Sequence, residues 1–344
     1  MSKKIYIFLN FILISFILTC CSTNFTNNSN DSNSNKIIVS SLSKDKKGFI
    51  TSIDPTTKKE KVNIKNKNVA ITGDISSDSS KIAYIDALDD TSPWQLFVSN
   101  LNGNNSKQLT TTEKGKVNAR FSKDGYIYYL SQDSEDTIKL FKYNLEKKEE
   151  SIIDKENTDR EVECFSISDN VIIQSTVSSS EKLKAWEESE DGNPLLSHTI
   201  ILVNSENSQE ELTNITASTI SSIDITKDGT KVLIFGENIN SDTGFGIYEL
   251  TLKDKTLKKL ILDSEVINKP DSLIESFINP YIVRYSEDEN IIYFTASKKN
   301  AESFNLDEIE CKAASLFTYN IKNGKIEEFY TPKNPSLIFD LNVH

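Results

Sequence analysis

The chain has 344 residues, with 39 Lys and Arg against 51 Asp and Glu, a formal net charge of −12. That balance argues against a nucleic-acid partner, whose phosphates want a basic stripe. With 37% hydrophobic and 26% charged residues the body can build a core, and the length suits one large all-β domain or two ordinary ones.

The first residues read as an address. Lys3 and Lys4 form a basic start, and residues 5–19 are almost wholly apolar, interrupted by Asn10. The run is too short for a comfortable membrane span. It ends in Leu18-Thr19-Cys20-Cys21-Ser22, which resembles a bacterial lipobox, where a Leu three residues before a Cys guides lipidation and cleavage. The residue before the modified Cys is usually Gly, Ala or Ser; here it is Cys20, so Cys20 and Cys21 both stay open. Cys21 puts Leu18 in its usual place and is the expected carrier of the lipid (palmitate). Residues 1–20 are then a lipoprotein signal peptide. An uncleaved N-terminal anchor is the other reading, and both leave the body outside the cytoplasmic membrane. Residues 22–35 are Ser, Thr, Asn and Asp with one Phe. Such a stretch cannot bury apolar surface, so 21–35 is expected to be a flexible tether.

From residue 36 onward one unit recurs: a strand, a tight polar turn, a second apolar strand, a loop, and a further hairpin turning at Asn, Asp or Gly. The turns are Ser76-Ser77-Asp78-Ser79, Ser122-Lys123-Asp124-Gly125, Ser168-Asp169-Asn170, Lys227-Asp228-Gly229 and Glu287-Asp288-Glu289-Asn290. Asp, Asn and Gly suit the left-handed and turn conformations of such hairpins. Second hairpins are visible at Asn102-Gly103, near Asn204, at Lys253-Asp254 and at Asn323-Gly324. Five units are complete. The first stretch, 36–64, holds three strands but no leading strand, and 336–343 reads as a lone strand. The C-terminal strand is therefore expected to complete the first blade, since closure removes exposed sheet edges. The result is an all-β, six-bladed β-propeller over residues 36–344, at about 51 residues per blade.

The repeats Phe121-Ser122-Lys123-Asp124-Gly125 and Ile225-Thr226-Lys227-Asp228-Gly229 resemble the blade signature of TolB-like six-bladed propellers, which is close to those of WD-type and prolyl-oligopeptidase propellers. The resemblance covers nearly the whole mature chain. It implies six blades and, most often, binding of a protein or peptide without catalysis. It carries over no catalytic residue.

The residues themselves give little chemistry. There is no G-x-S-x-G elbow, and the two histidines are His198, opening a strand, and His344, the last residue. No His/Cys cluster has zinc spacing, so neither cofactor nor metal is expected. Cys164 lies in a strand pattern and reads as a buried free thiol, with Cys311 the other cysteine of the body. A carboxylate-based carbohydrate- or peptide-active enzyme is the alternative function. It would need two acids facing the funnel, with Glu163 and Asp224 as the inner-strand candidates.

The loops joining second and third strands emerge on one face and carry twice as many acids as bases. They read as an acidic rim for a basic partner or divalent cations, or as a solvated face that keeps the protein soluble; none matches EF-hand spacing. The connections 178–197 and 297–314 are longer than a hairpin needs, and each suits a helical turn or two. Both tryptophans, Trp94 and Trp186, fall in second-to-third strand connections, as contact anchors or as residues packing the loop onto its blade. The binding candidates are Trp94, Trp186, Glu187, Glu188, Asp89, Asp90 and Asp136, for an envelope protein or peptide that a basic character would suit.

Overall fold

The computed structural model describes residues 35–67, 72–89, 91–168, 171–189, 192–204 and 207–344. Cys20, Cys21, the signal sequence, the tether up to Ser34, Asp90 and Asp169 lie outside the described residues. The compact unit from Asn35 to His344 is a ring of six antiparallel sheets.

Blade 1 holds β1 (Ile37–Ser43), β2 (Gly48–Ile53) and β3 (Glu60–Lys67). Blade 2 is β4 (Gly73–Ile75), β5 (Lys81–Asp86), β6 (Gln95–Asn100) and β7 (Lys107–Gln108). Blade 3 is β8 (Lys116–Phe121), β9 (Tyr126–Gln132), β10 (Ile138–Asn144) and β11 (Glu149–Ile152). Blade 4 is β12 (Arg160–Ser168), β13 (Val171–Ser178), β14 (Leu196–Val203) and β15 (Gln209–Ala217), with helix α1 (Ser179–Glu188) between β13 and β14. Blade 5 is β16 (Thr219–Ile225), β17 (Lys231–Glu237), β18 (Phe245–Thr251) and β19 (Thr256–Leu262), followed by α2 (Asp263–Ile267). Blade 6 has a divided inner strand, β20 (Ile274–Ser276) and β21 (Val283–Tyr285), both pairing with β22 (Ile291–Lys298). A hairpin of β23 (Ser303–Leu306) and β24 (Ile309–Lys312) precedes its β25 (Ser315–Asn320) and β26 (Ile326–Tyr330). The last strand, β27 (Ser336–Val343), pairs along the whole of β1 and becomes the inner strand of blade 1. The expected closure is therefore present.

The apolar runs of the second strands follow from this architecture. A blade is covered on both faces, so its central strands bury successive residues to opposite sides. In β5, Ile82 and Tyr84 enter the cluster shared with blade 1, while Ala83 and Ile85 enter the cluster shared with blade 3. Six such clusters, one per blade interface, make up the core. Cys164 is a free thiol buried in the one between blades 4 and 5.

The recurrent turn works by a different division of labour from the one its residue types suggest. The left-handed residue is the one after Asp: Ser79, Gly125, Gly229 and Glu289 have φ of 53°, 84°, 67° and 57°. The Asp instead accepts from the Ser or Thr two positions earlier, at 2.6 Å for Ser76 to Asp78, 2.7 Å for Thr226 to Asp228 and 2.6 Å for Ser286 to Asp288. It also caps a backbone N–H two positions later, at Ser80, Thr230 and Asn290. The side chain thus holds the turn closed while its neighbour takes the strained conformation.

The two long connections part ways. Helix α1 forms as expected in the first. In the second, 297–314, a β-hairpin replaces the expected helical turn. Asp307 takes a left-handed φ of 55° at the two-residue turn, and Phe304 on the alternating strand buries to 8% exposure.

Candidate functional site

Turns joining first to second and third to fourth strands leave the ring on one face, the turn face. Connections from second to third strand, and from blade to blade, leave on the other, the loop face. Two regions concentrate polar or exposed apolar chemistry: the central channel and the loop face.

The turn motif sets the register of the channel wall. Two residues before its opening Ser or Thr, the inner strands present Asp74, Arg120, Ser166, Asp224 and Arg284, and Asn342 takes the matching place in β27. Arg120 of blade 3 reaches Asp340 of blade 1 in a two-pronged ion pair at 2.5 and 2.6 Å, both side chains nearly fully buried. Neighbouring blades are also stitched around the ring. Asp74 accepts from Phe121 N–H, Asp224 accepts from Ser166 Oγ and Tyr285 N–H, and Asn342 donates to Gly73 O. These bonds satisfy inner-edge backbone groups that have no strand partner.

Arg120 and Arg284 border both a cavity of about 290 Å³ opening toward the turn face and one of about 130 Å³ toward the loop face. They therefore form the septum of the channel. Burial opposes the Arg120 cation, but Asp340 more than offsets it and the pKa is raised. Arg284 has no such partner; burial and the like charge of Arg120 lower its pKa. Burial likewise pushes Asp224 up, against the pull of Arg284. Asp74 goes the other way: burial opposes its charge, but His344 and Arg120 hold it below the usual carboxylate range.

Of the two inner-strand acids expected to face the funnel, only Asp224 does. Glu163 contacts His198 Nδ1 at 2.6 Å, beside a bulge that shifts the register between Val162 and Cys164. His198 lies within β14 rather than opening it; it is fully buried, and its Nε2 faces Ala217 O. The acid pair of the alternative enzymatic reading is thereby dissolved. Among the described residues no group of three or more His, Cys, Asp and Glu is placed to hold a metal ion. The channel residues Asp74, Arg120, Arg284, Asp340 and Asn342 were not singled out from sequence; the fixed offset from the turn Ser was a usable signal for the first three, whereas β27 runs into no such turn.

On the loop face, Trp94 and Trp186 are 38% and 58% exposed, so neither is buried beneath its own loop. Helix α1 buries none of its residues. Its first half is tied to the blade: its N-cap Ser178 accepts from Glu181 N–H, Asp159 accepts from Ser178 Oγ at 2.6 Å and Ser180 N–H at 2.8 Å, and Lys182 pairs with Glu161 at 2.7 Å. Leu183 and Trp186, three apart on one helical side, are both turned to solvent, with Glu187 and Glu188 exposed beside them. Among the described residues eight large hydrophobic side chains are exposed, and seven of them (all but Val62) belong to loop-face connections. Asp89 and Asp136 have structural work. Asp89 accepts from Thr91 and Ser92, whose hydroxyl and backbone donors hold its pKa down to about 2. Asp136 sits at φ 64° and pairs with Lys114.

The fold defines the class: a six-bladed β-propeller of TolB-like architecture. It resembles the crystal structure of TolB from Acinetobacter baumannii, with a TM-score of 0.63 and 11% identity, over 90% of this chain and 66% of that one. It also resembles a putative TolB from Agrobacterium tumefaciens, with a TM-score of 0.53 and 9% identity, over 90% of this chain and 99% of that one. The chain thus spans just under two thirds of the Acinetobacter protein. At these identities the likeness is one of fold. No family model and no curated protein sequence matches the chain.

Proposed function

We propose that this chain is a non-catalytic binding protein, anchored by a lipid on Cys21 to the outer side of the cytoplasmic membrane. It takes an envelope protein or peptide on its loop face. The carrying observation is helix α1, tied to blade 4 through Ser178, Ser180 and Lys182 and presenting Leu183 and Trp186 outward at 63% and 58% exposure. A monomeric surface seldom leaves a helix with nothing packed on its apolar side. Glu187 and Glu188 beside it favour a partner with apolar anchors and basic flanks.

The test uses the full chain. Mass spectrometry of the mature N-terminus finds the lipid on Cys21, and Cys21→Ala loses membrane attachment or leaves an uncleaved precursor. With a partner captured by crosslinking on cells, Trp186→Ala raises the dissociation rate about tenfold or more, since a desolvated aromatic anchor is often worth about 2 kcal/mol. Neutralising Glu187 and Glu188 slows association instead, more so at low salt. A lipid on Cys20, or none, defeats the anchor. Binding that ignores Trp186→Ala but is abolished by Lys147→Glu on the turn face defeats the assignment of the face.

A further inference from the structure

A second site lies on the opposite side of the ring and is independent of the loop-face reading. We infer that the larger channel cavity binds a small carboxylate group through Arg284.

The reasoning starts from an unbalanced charge. The chain as a whole is strongly acidic, yet its channel septum holds two guanidinium groups. Arg120 is matched by Asp340. Arg284 is only 6% exposed, and among the described residues no carboxylate lies within ion-pairing distance of it. One nitrogen, Nη1, makes all of its hydrogen bonds, to Ser222 Oγ at 2.9 Å, Val283 O at 2.6 Å and Ile223 O at 3.2 Å. Its Nε is buried with no partner. The neighbouring acid, Asp224, attracts it through space but makes no ion pair with it; its oxygens are held by Ser166 Oγ at 2.6 Å and Tyr285 N–H at 2.8 Å.

A buried cation with no carboxylate in direct contact is incompletely compensated for its lost hydration. Here it borders a cavity open to solvent at the turn face. Of the guanidinium fork, Nη1 is committed and Nε is sealed, which leaves Nη2 to take a carboxylate oxygen in a charge-assisted hydrogen bond. A space of about 290 Å³ is at the small end of small-molecule sites. Its mouth carries Lys123 and Lys227 together with Glu287, which pairs with Lys227, and Glu289, so the rim charges balance and the pull on an anion comes from Arg284 inside. The same chemistry is offered by a free dicarboxylate and by the C-terminus of a short peptide.

The experiment is calorimetric titration of the full chain at matched ionic strength with succinate, with N-acetylglycylglycine and, as the carboxylate-free control, with glycylglycinamide. At least one carboxylate binds saturably and the control does not; which of the two binds identifies the source. Arg284→Gln weakens binding about tenfold or more, and Arg284→Lys, which keeps the charge but not the fork, weakens it less. Asp224→Asn removes the nearby negative charge and tightens binding, so the idea stays testable even where Arg284→Gln does not fold. Absence of saturable binding by both carboxylates, equal binding by Arg284→Gln, or unchanged or weaker binding by Asp224→Asn overturns the inference.

Discussion

His344 touches the channel through a single contact, its Nε2 lying 2.6 Å from Asp74 Oδ1. Burial lowers the imidazole pKa, but the Asp74 charge outweighs it, and the value stands above the ordinary 6.5. Asp74 is held below its ordinary 3.8. A raised His contributes stability that is complete below its unfolded pKa and fades as pH rises through the folded one. A depressed Asp contributes stability that is complete above its unfolded pKa and fades as pH falls through the folded one. The pair therefore stabilises most between about pH 4 and 6.5. His344→Ala should lose about 1 kcal/mol there, a small figure because a third of the ring faces solvent. Thermal unfolding of both proteins at acidic, neutral and alkaline pH checks it: the gap should close at alkaline pH, and a constant gap would rule out the imidazolium as its source. At this scale the sequence was only partly legible. Asp224 could be placed in the channel because it precedes a Thr-Lys-Asp-Gly turn by two positions. Arg120 and Asp340 stand 220 positions apart, and no local pattern says that two such residues meet across a ring. Glu163 was misplaced because a bulge has no signature in residue types.

At the scale of elements the recurrent turn is the most legible feature and also the most testable. Its fourth position is left-handed in every described copy, but only Gly125 and Gly229 meet that demand without a side chain. Ser79 sits there at φ 53°, a conformation costing an L-residue about 1–2 kcal/mol. Glycine would remove that strain but add about 0.5–1 kcal/mol of unfolded-chain entropy. Ser79→Gly should thus raise stability by about 0.5 kcal/mol, the surplus of one effect over the other. Gly229→Ala should lower it by about 0.5–1 kcal/mol, the strain gained less the unfolded-chain entropy removed; an added Cβ meets nothing within 4 Å at Gly229, so the cost is conformational alone. Denaturant midpoints measure both, and a stabilised Gly229→Ala would contradict the account. Strands with two-sided apolar runs and Asp-marked turns were readable because local chemistry and tertiary role coincide in them. The 297–314 connection was not, since Phe304 alternates with polar neighbours over too few residues to distinguish a hairpin from a helical turn.

The whole ring depends on one strand. β27 supplies the inner strand of blade 1, pairing from Ile37 with Val343 to Ser43 with Ser336. It places Ile338 and Leu341, at 1% and 0% exposure, in the cluster between blades 6 and 1. It also carries the Asp340 carboxylate that neutralises Arg120 in blade 3. That the opening stretch lacked a leading strand while the closing one lacked a partner was visible in the sequence, because an unpaired strand at each end is unstable unless the two meet. Removing one member of a buried ion pair costs about 3–5 kcal/mol, and each lost Leu-sized core side chain about 2–5 kcal/mol. Asp340→Ala alone should therefore lower the melting temperature by about 5–10 °C. Deleting residues 335–344 combines the ion-pair loss with both core losses and bares the edge of β1, whose residues are buried at all but one position. The combined loss matches the whole stability of an ordinary domain, about 5–15 kcal/mol. The truncated chain should show no cooperative unfolding and should associate through the exposed edge. Calorimetry and size-exclusion chromatography decide it: a truncated monomer that melts cooperatively near the temperature of the full chain would mean that the other five blades hold the ring without its closing strand.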